Sequence, residues 1–105
     1  MVGALHAAGA RILAGTDSGI DVTAPGTSLH DELAELVASG LSPLEALRAA
    51  TTGPAAFLGK VEEIGTISGG ARADLVLVDG DPREDVGVLR HPRAVMLRGA
   101  WLERP

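Results

Sequence analysis

The sequence predicts an α/β fold, and three observations carry the prediction. Ile12-Leu13-Ala14 is a short apolar run without alternation, the pattern of a strand covered on both faces as in parallel sheets. Two stretches between residues 29 and 51 have helical periodicity and helix-start chemistry. After residue 60 the character changes to short aliphatic runs separated by Gly, Asp and Pro turns, the signature of a small β unit. The order is one strand, then helices, then β, with no internal repeat.

Residues 1–9 read as the end of a helix. Ala4, Leu5, Ala7 and Ala8 are helix-compatible, and Gly9 is a natural stop. A helix of about two turns is marginal on its own in water. The strand at 12–14 runs into a loop over 16–27 rich in Gly, Ser, Thr, Asp and Pro, with Pro25-Gly26 as a turn signal. Leu29, Leu33, Leu36 and Val37 then fall at i, i+4, i+7 and i+8, one face of an amphipathic helix over 29–39. Asp31 and Glu32 suit its positive N-terminal end, Thr27 or Ser28 can cap it, and Gly40 closes it.

Ser42-Pro43-Leu44-Glu45 starts the next helix. Ser42 is the N-cap, Pro43 occupies the first helical position, and Glu45 completes a capping box. Gly53-Pro54 breaks this helix, and Ala55-Ala56-Phe57-Leu58 gives one more turn. Strands are expected at 65–67, 74–78 and 94–97. Arg98-Gly99 turns a last hairpin into Ala100-Trp101-Leu102.

Composition excludes several classes of function. The net charge of -5, with Arg residues spread along the chain, gives no basic footprint for nucleic acid or an anionic membrane. No apolar run approaches the roughly 20 residues of a transmembrane helix. The N-terminus lacks the basic start and apolar stretch of a signal peptide, so a cytoplasmic protein is the default. There is no cysteine, so any metal would use His or carboxylate ligands. Phe57 and Trp101, the only aromatics, are expected to anchor an otherwise aliphatic core.

Asp17 is the residue most suggestive of chemistry. The run Arg11-Ile12-Leu13-Ala14-Gly15-Thr16-Asp17-Ser18-Gly19 is an apolar strand ending in a glycine-flanked turn with one carboxylate. In barrels of parallel strands, side chains at the C-terminal strand ends face the active site, where a carboxylate can bind a metal or take a proton from water. The bland alternative is an ordinary turn Asp. His30, in the first turn of the amphipathic helix, can reach the mouth of such a site and touch substrate; a surface His is the alternative. His6 and His91 have no partner implied by spacing. Asp79, Asp81, Glu84 and Asp85 lack the ligand spacing of a calcium loop and read as a solvated turn. Asp74 is expected to tuck against β backbone.

Four segments in fixed order carry a resemblance. They are Ile12-Leu13-Ala14-Gly15-Thr16-Asp17-Ser18; Leu29-His30-Asp31-Glu32-Leu33 with Ala38-Ser39-Gly40-Leu41-Ser42-Pro43-Leu44-Glu45-Ala46-Leu47; Ala50-Thr51-Thr52-Gly53-Pro54-Ala55 followed by Leu58-Gly59; and Gly65-Thr66-Ile67-Ser68-Gly69-Gly70 with Ala73-Asp74-Leu75-Val76. Over nearly its whole length the chain resembles the C-terminal end of the amidohydrolase superfamily, most closely its imidazolonepropionase-like and prolidase-like members. The resemblance implies a C-terminal fragment of a TIM-like (β/α)8 barrel over 1–59, its last strand and helices. Part of a small β-sandwich domain over 60–105 would follow. It also implies hydrolysis of a C–N bond in a small-molecule substrate. Asp17 would bind a divalent metal, with zinc as the usual expectation, and accept a proton from the attacking water.

The chain departs from the family pattern where the remaining ligands should be. The His-x-His pair, the middle carboxylate or modified Lys, and two further metal-binding His residues come from earlier strands. A complete barrel takes roughly 200 residues or more, about twice what is available. His6, His30 and His91 do not replace those ligands by spacing, and catalytic zinc draws on about three protein ligands. The expectation is therefore a hydrolase segment that is inactive alone. The alternative is a non-enzymatic truncated product, or a fragment that associates with a partner chain carrying the missing strands or with copies of itself as a homo-oligomer.

Overall fold

A computed structural model of the chain describes residues 1–19 and 24–103. Residues 20–23 of the expected 16–27 loop, and residues 104–105, lie outside the described residues. The element order is α1 (Val2–Ala7), α2 (Ser28–Ala38), α3 (Pro43–Ala50), α4 (Thr52–Phe57), β1 (Leu75–Leu77), a 3-10 helix (Val86–Arg90), β2 (Ala94–Leu97) and β3 (Ala100–Leu102). Helices and a small sheet together make an α/β chain.

The capping box at α3 forms as its sequence predicts. The Ser42 hydroxyl accepts from the Glu45 N–H at 3.1 Å, and the Glu45 carboxylate accepts from the Ser42 N–H at 2.7 Å. At α2 the N-cap is Thr27, but its hydroxyl turns back to the Ala24 carbonyl instead of capping the helix. Ser28 is the first residue of α2 and is buried.

α2 and α3 enclose the core. Leu33, Leu36, Leu41, Ala46 and Ala49 are buried together, with Ile12, Ala14, Val37 and Ala50 against them. Val86 and Leu89 of the 3-10 helix pack on the same cluster. The segment after residue 60 thus closes one side of the helix pair. Arg90 adds an ion pair to Asp31 of α2 at 2.7 Å. Half-exposed pairs of this kind contribute at most about 1 kcal/mol, so the apolar contacts of Val86 and Leu89 carry the docking.

Leu29 does not join the apolar face of α2 as its spacing predicts; it is 43% exposed. It sits in the first turn, ahead of the part of the helix that α3 covers. Phe57 and Trp101 are not core anchors either, at 78% and 58% exposed. The buried volume is filled by Leu and Ala, and neither aromatic lies on the face that the helices cover.

The β unit is a single antiparallel sheet, β1-β2-β3, with Leu75 opposite Met96 and Met96 opposite Trp101. Arg98 and Gly99 both have positive φ, 49° and 82°, the backbone of a two-residue turn whose twist suits a hairpin. The Asp74 carboxylate accepts from the Arg98 N–H at 2.8 Å and also pairs with Arg72, which fixes this turn beside the start of β1. The expected contact of Asp74 with β backbone is this bond. The expected strand at 65–67 does not form; the chain bends there.

Candidate functional site

The 12–17 segment is held by helices. Ile12 and Ala14 point into the core, and the Ala14 N–H donates to the Ala49 carbonyl at the end of α3, at 2.9 Å. The next N–H, of Gly15, donates to the Glu32 carboxylate of α2 at 3.1 Å. Among the described residues Arg11, Ile12 and Leu13 make no backbone hydrogen bonds. Among the described residues the run expected as a strand therefore has no ladder and no neighbouring strand beside it.

Asp17 follows two residues after the Glu32 bond. It is exposed and has φ 49°, one of two non-glycine residues with positive φ among the described residues. Asp tolerates this left-handed backbone better than most residues because its short carboxylate can hydrogen-bond locally. Sterically restricted backbone of this kind concentrates at functional sites. It also occurs in ordinary turns, which leaves the bland reading of Asp17 standing on geometry alone.

His30 is half-buried in the first turn of α2. Its Nδ1 is buried and has no hydrogen-bond partner among the described residues. Buried polar atoms are normally satisfied, so an orphaned ring nitrogen calls for an explanation. The Glu32 bond sets the first turn of α2, with His30, beside the backbone that leads to Asp17.

His6 has a partner that its sequence spacing does not imply. Its Nε2 lies 3.3 Å from the Glu45 carboxylate and so joins α1 to the start of α3. The Ser42 N–H foremost, and His6 beside it, hold the Glu45 carboxyl below the usual range. His6 and Glu45 lie with Arg48, Leu13, Phe57 and Val61 along an open groove of about 830 Å³. The groove is mostly apolar and runs under the unpaired 11–13 segment.

The acidic residues near 79–85 form a local turn, as expected. Asp81 pairs with Arg83, whose guanidinium lowers its carboxyl to about 2. Asp85 accepts from the Gly87 N–H at the start of the 3-10 helix. Among the described residues no three His, Asp or Glu side chains gather where one metal ion could be held. Asp17, His30, His6 and His91 are not brought into one cluster, and the described residues do not assemble the donor set of a complete metal centre.

The model of the amidohydrolase family matches residues 1–102. This chain belongs to the amidohydrolase family. The crystal structure of a putative prolidase from Bifidobacterium longum is 38% identical, with a TM-score of 0.89 over 99% of this chain and 26% of that one. An uncharacterized protein of Mycobacterium tuberculosis is 39% identical over 93% of this chain and 25% of its own length. The imidazolonepropionase of Sphingopyxis alaskensis is 40% identical over 79% of this chain and 21% of its own. The chain thus spans about a quarter of the length of these relatives. Enzymes of the family are generally metal-dependent, whereas the described residues of this amidohydrolase segment hold no metal cluster. No helix among them is long and apolar enough to cross a membrane.

Proposed function

We propose that this chain is the C-terminal part of an amidohydrolase barrel that hydrolyses a C–N bond in a small molecule, and that it is inactive alone. One observation carries the reading. The family match runs from residue 1 to 102, yet 11–13 has open backbone hydrogen-bonding groups and an apolar groove beside it. Both features support reading the segment as a barrel strand whose adjoining strands lie on another stretch of polypeptide. In this reading Asp17 faces the active-site mouth, one of several ligands to a divalent metal, zinc by preference. The residues described here do not assemble the others.

The chain's own part in the reaction is proton transfer. As water adds to the carbonyl carbon and the C–N bond breaks, the Asp17 carboxylate takes the water proton and passes it to the leaving nitrogen. In the same reading His30 would meet the substrate through Nδ1, which has no hydrogen-bond partner among the described residues.

The reading is tested by assaying the pure chain with divalent metals on cyclic amides and dipeptides. The chain is then assayed again with a polypeptide supplying the other three-quarters of a relative's barrel. The expected result is no turnover alone and metal-dependent turnover on association, abolished by Asp17→Asn. Robust turnover by the isolated chain would overturn the proposed incompleteness. Undiminished turnover by Asp17→Asn in the assembly would overturn the role of Asp17.

A further inference from the structure

We infer that Glu32 is the positioning residue for Asp17, a role that rests on the functional reading above. A carboxylate that moves a proton must be held within about 0.5 Å of its working position. Asp17 is at the end of a segment poorly suited to that. Arg11 to Leu13 make no backbone hydrogen bonds among the described residues, and Gly15, the most conformationally free residue type, stands two positions before Asp17.

Two hydrogen bonds replace the missing ladder. Successive N–H groups of an extended segment point to opposite sides. Here the Ala14 N–H reaches the Ala49 carbonyl of α3 at 2.9 Å, and the Gly15 N–H reaches Glu32 Oε1 of α2 at 3.1 Å. The first bond uses a carbonyl left over at a helix C-terminus and is common currency of helix ends. The second is specific to one side chain. It joins residues 17 apart in sequence, two positions before Asp17 turns into left-handed backbone.

The neighbouring acids do not share this geometry. Asp31 reaches away to Arg90, and Glu35, one turn on, is exposed. Glu32 is half-buried and turned to the segment. A carboxylate accepting from a backbone N–H makes a stronger bond than a neutral acceptor, so it suits holding a glycine still. Glu32 touches no reacting atom; it acts through Gly15 on the direction in which the chain delivers Asp17.

The test is nuclear magnetic resonance on the intact chain, with Glu32→Ala, Glu32→Gln and Val37→Ala compared. Gln keeps the Oε1 acceptor, and Val37→Ala weakens the packing of the same helix without touching Gly15. The expected result for Glu32→Ala is amide exchange at Gly15 faster by about tenfold, the equivalent of one lost hydrogen bond. The HN–Hα coupling of Asp17 should also move away from its left-handed value. Glu32→Gln should restore both, and Val37→Ala should leave the Asp17 coupling unchanged.

Gly15 exchange and Asp17 coupling that stay as in the wild type in Glu32→Ala would overturn the inference. So would an Asp17 coupling that shifts equally in Val37→Ala, since that is a general loosening of α2. Failure of the functional reading has a separate signature. There Glu32→Ala frees Gly15, but Asp17→Asn leaves the activity of the barrel assembly intact.

Discussion

Leu13 packs into the space that Gly53 leaves by having no side chain. A Cβ at residue 53 would stand 2.9 Å from Leu13 Cδ2 and 2.8 Å from the Arg48 carbonyl oxygen. The leucine end can rotate away, but the carbonyl belongs to α3 and cannot. Gly53→Ala should therefore separate α4 from the 11–13 segment and destabilise the chain by about 1–3 kcal/mol, the usual cost of overpacking. Urea unfolding measures the loss. A midpoint equal to that of the wild type would show that α4 does not seat the segment.

Leu36 is 5% exposed in a core that holds three buried leucines among the described residues. Leu36→Ala should cost about 2–5 kcal/mol through lost burial and the cavity left behind. In a core this small, that loss is expected to take most of the chain to the unfolded state at 37 °C. Circular dichroism at 222 nm checks it.

How much of this was legible from residues depends on whether the deciding contact is local. The α3 capping box is encoded within four positions, so Ser42, Pro43 and Glu45 announce it. The Arg98-Gly99 turn is equally local. Leu33 and Leu36 follow from helical periodicity. What the sequence hid is tertiary. Glu32 and Gly15 are 17 positions apart, and nothing in either neighbourhood names the other as a partner. His6 with Glu45 is the same case. Phe57 and Trp101 misled because large apolar side chains are usually buried, whereas the surfaces that would cover them are not supplied by the described residues. The 12–14 run shows strand chemistry without strand pairing, because a ladder needs a neighbour that pattern alone does not provide.

Acid should destabilise the fold in a traceable way. The Ser42 N–H lowers the Glu45 carboxyl in the folded chain, and the Arg98 N–H lowers that of Asp74. Each contributes stability that is fully present above its ordinary value, 4.5 for Glu45 and 3.8 for Asp74, and that is lost as pH falls through the lowered folded value. Glu45→Gln keeps an acceptor for Ser42 but removes the titration. Its stability should lie below that of the wild type at pH 7, with a flatter decline below pH 4.5. Urea midpoints measured from pH 7 to 3 decide it. An unchanged acid slope would show that Glu45 does not contribute to it.

The groove should govern how the chain associates. Leu13, Phe57 and Val61 line it, with Phe57 at 78% and Val61 at 58% exposure, beside the 11–13 backbone. Open backbone groups beside an apolar face invite another polypeptide, since pairing satisfies the first and burial removes the second from water. The isolated chain is therefore expected to self-associate in sedimentation velocity as its concentration rises. Phe57→Ser with Val61→Ser should restore a monomer, because both side chains already face outward and their loss leaves the Leu33–Leu36–Leu41 core intact. Adding the rest of a relative's barrel should compete with self-association in the wild type and fail to bind the double variant. A wild-type chain that stays monomeric, unfolds cooperatively and ignores the barrel portion would mean that this face needs no cover, and the proposal of a barrel segment would fall with it.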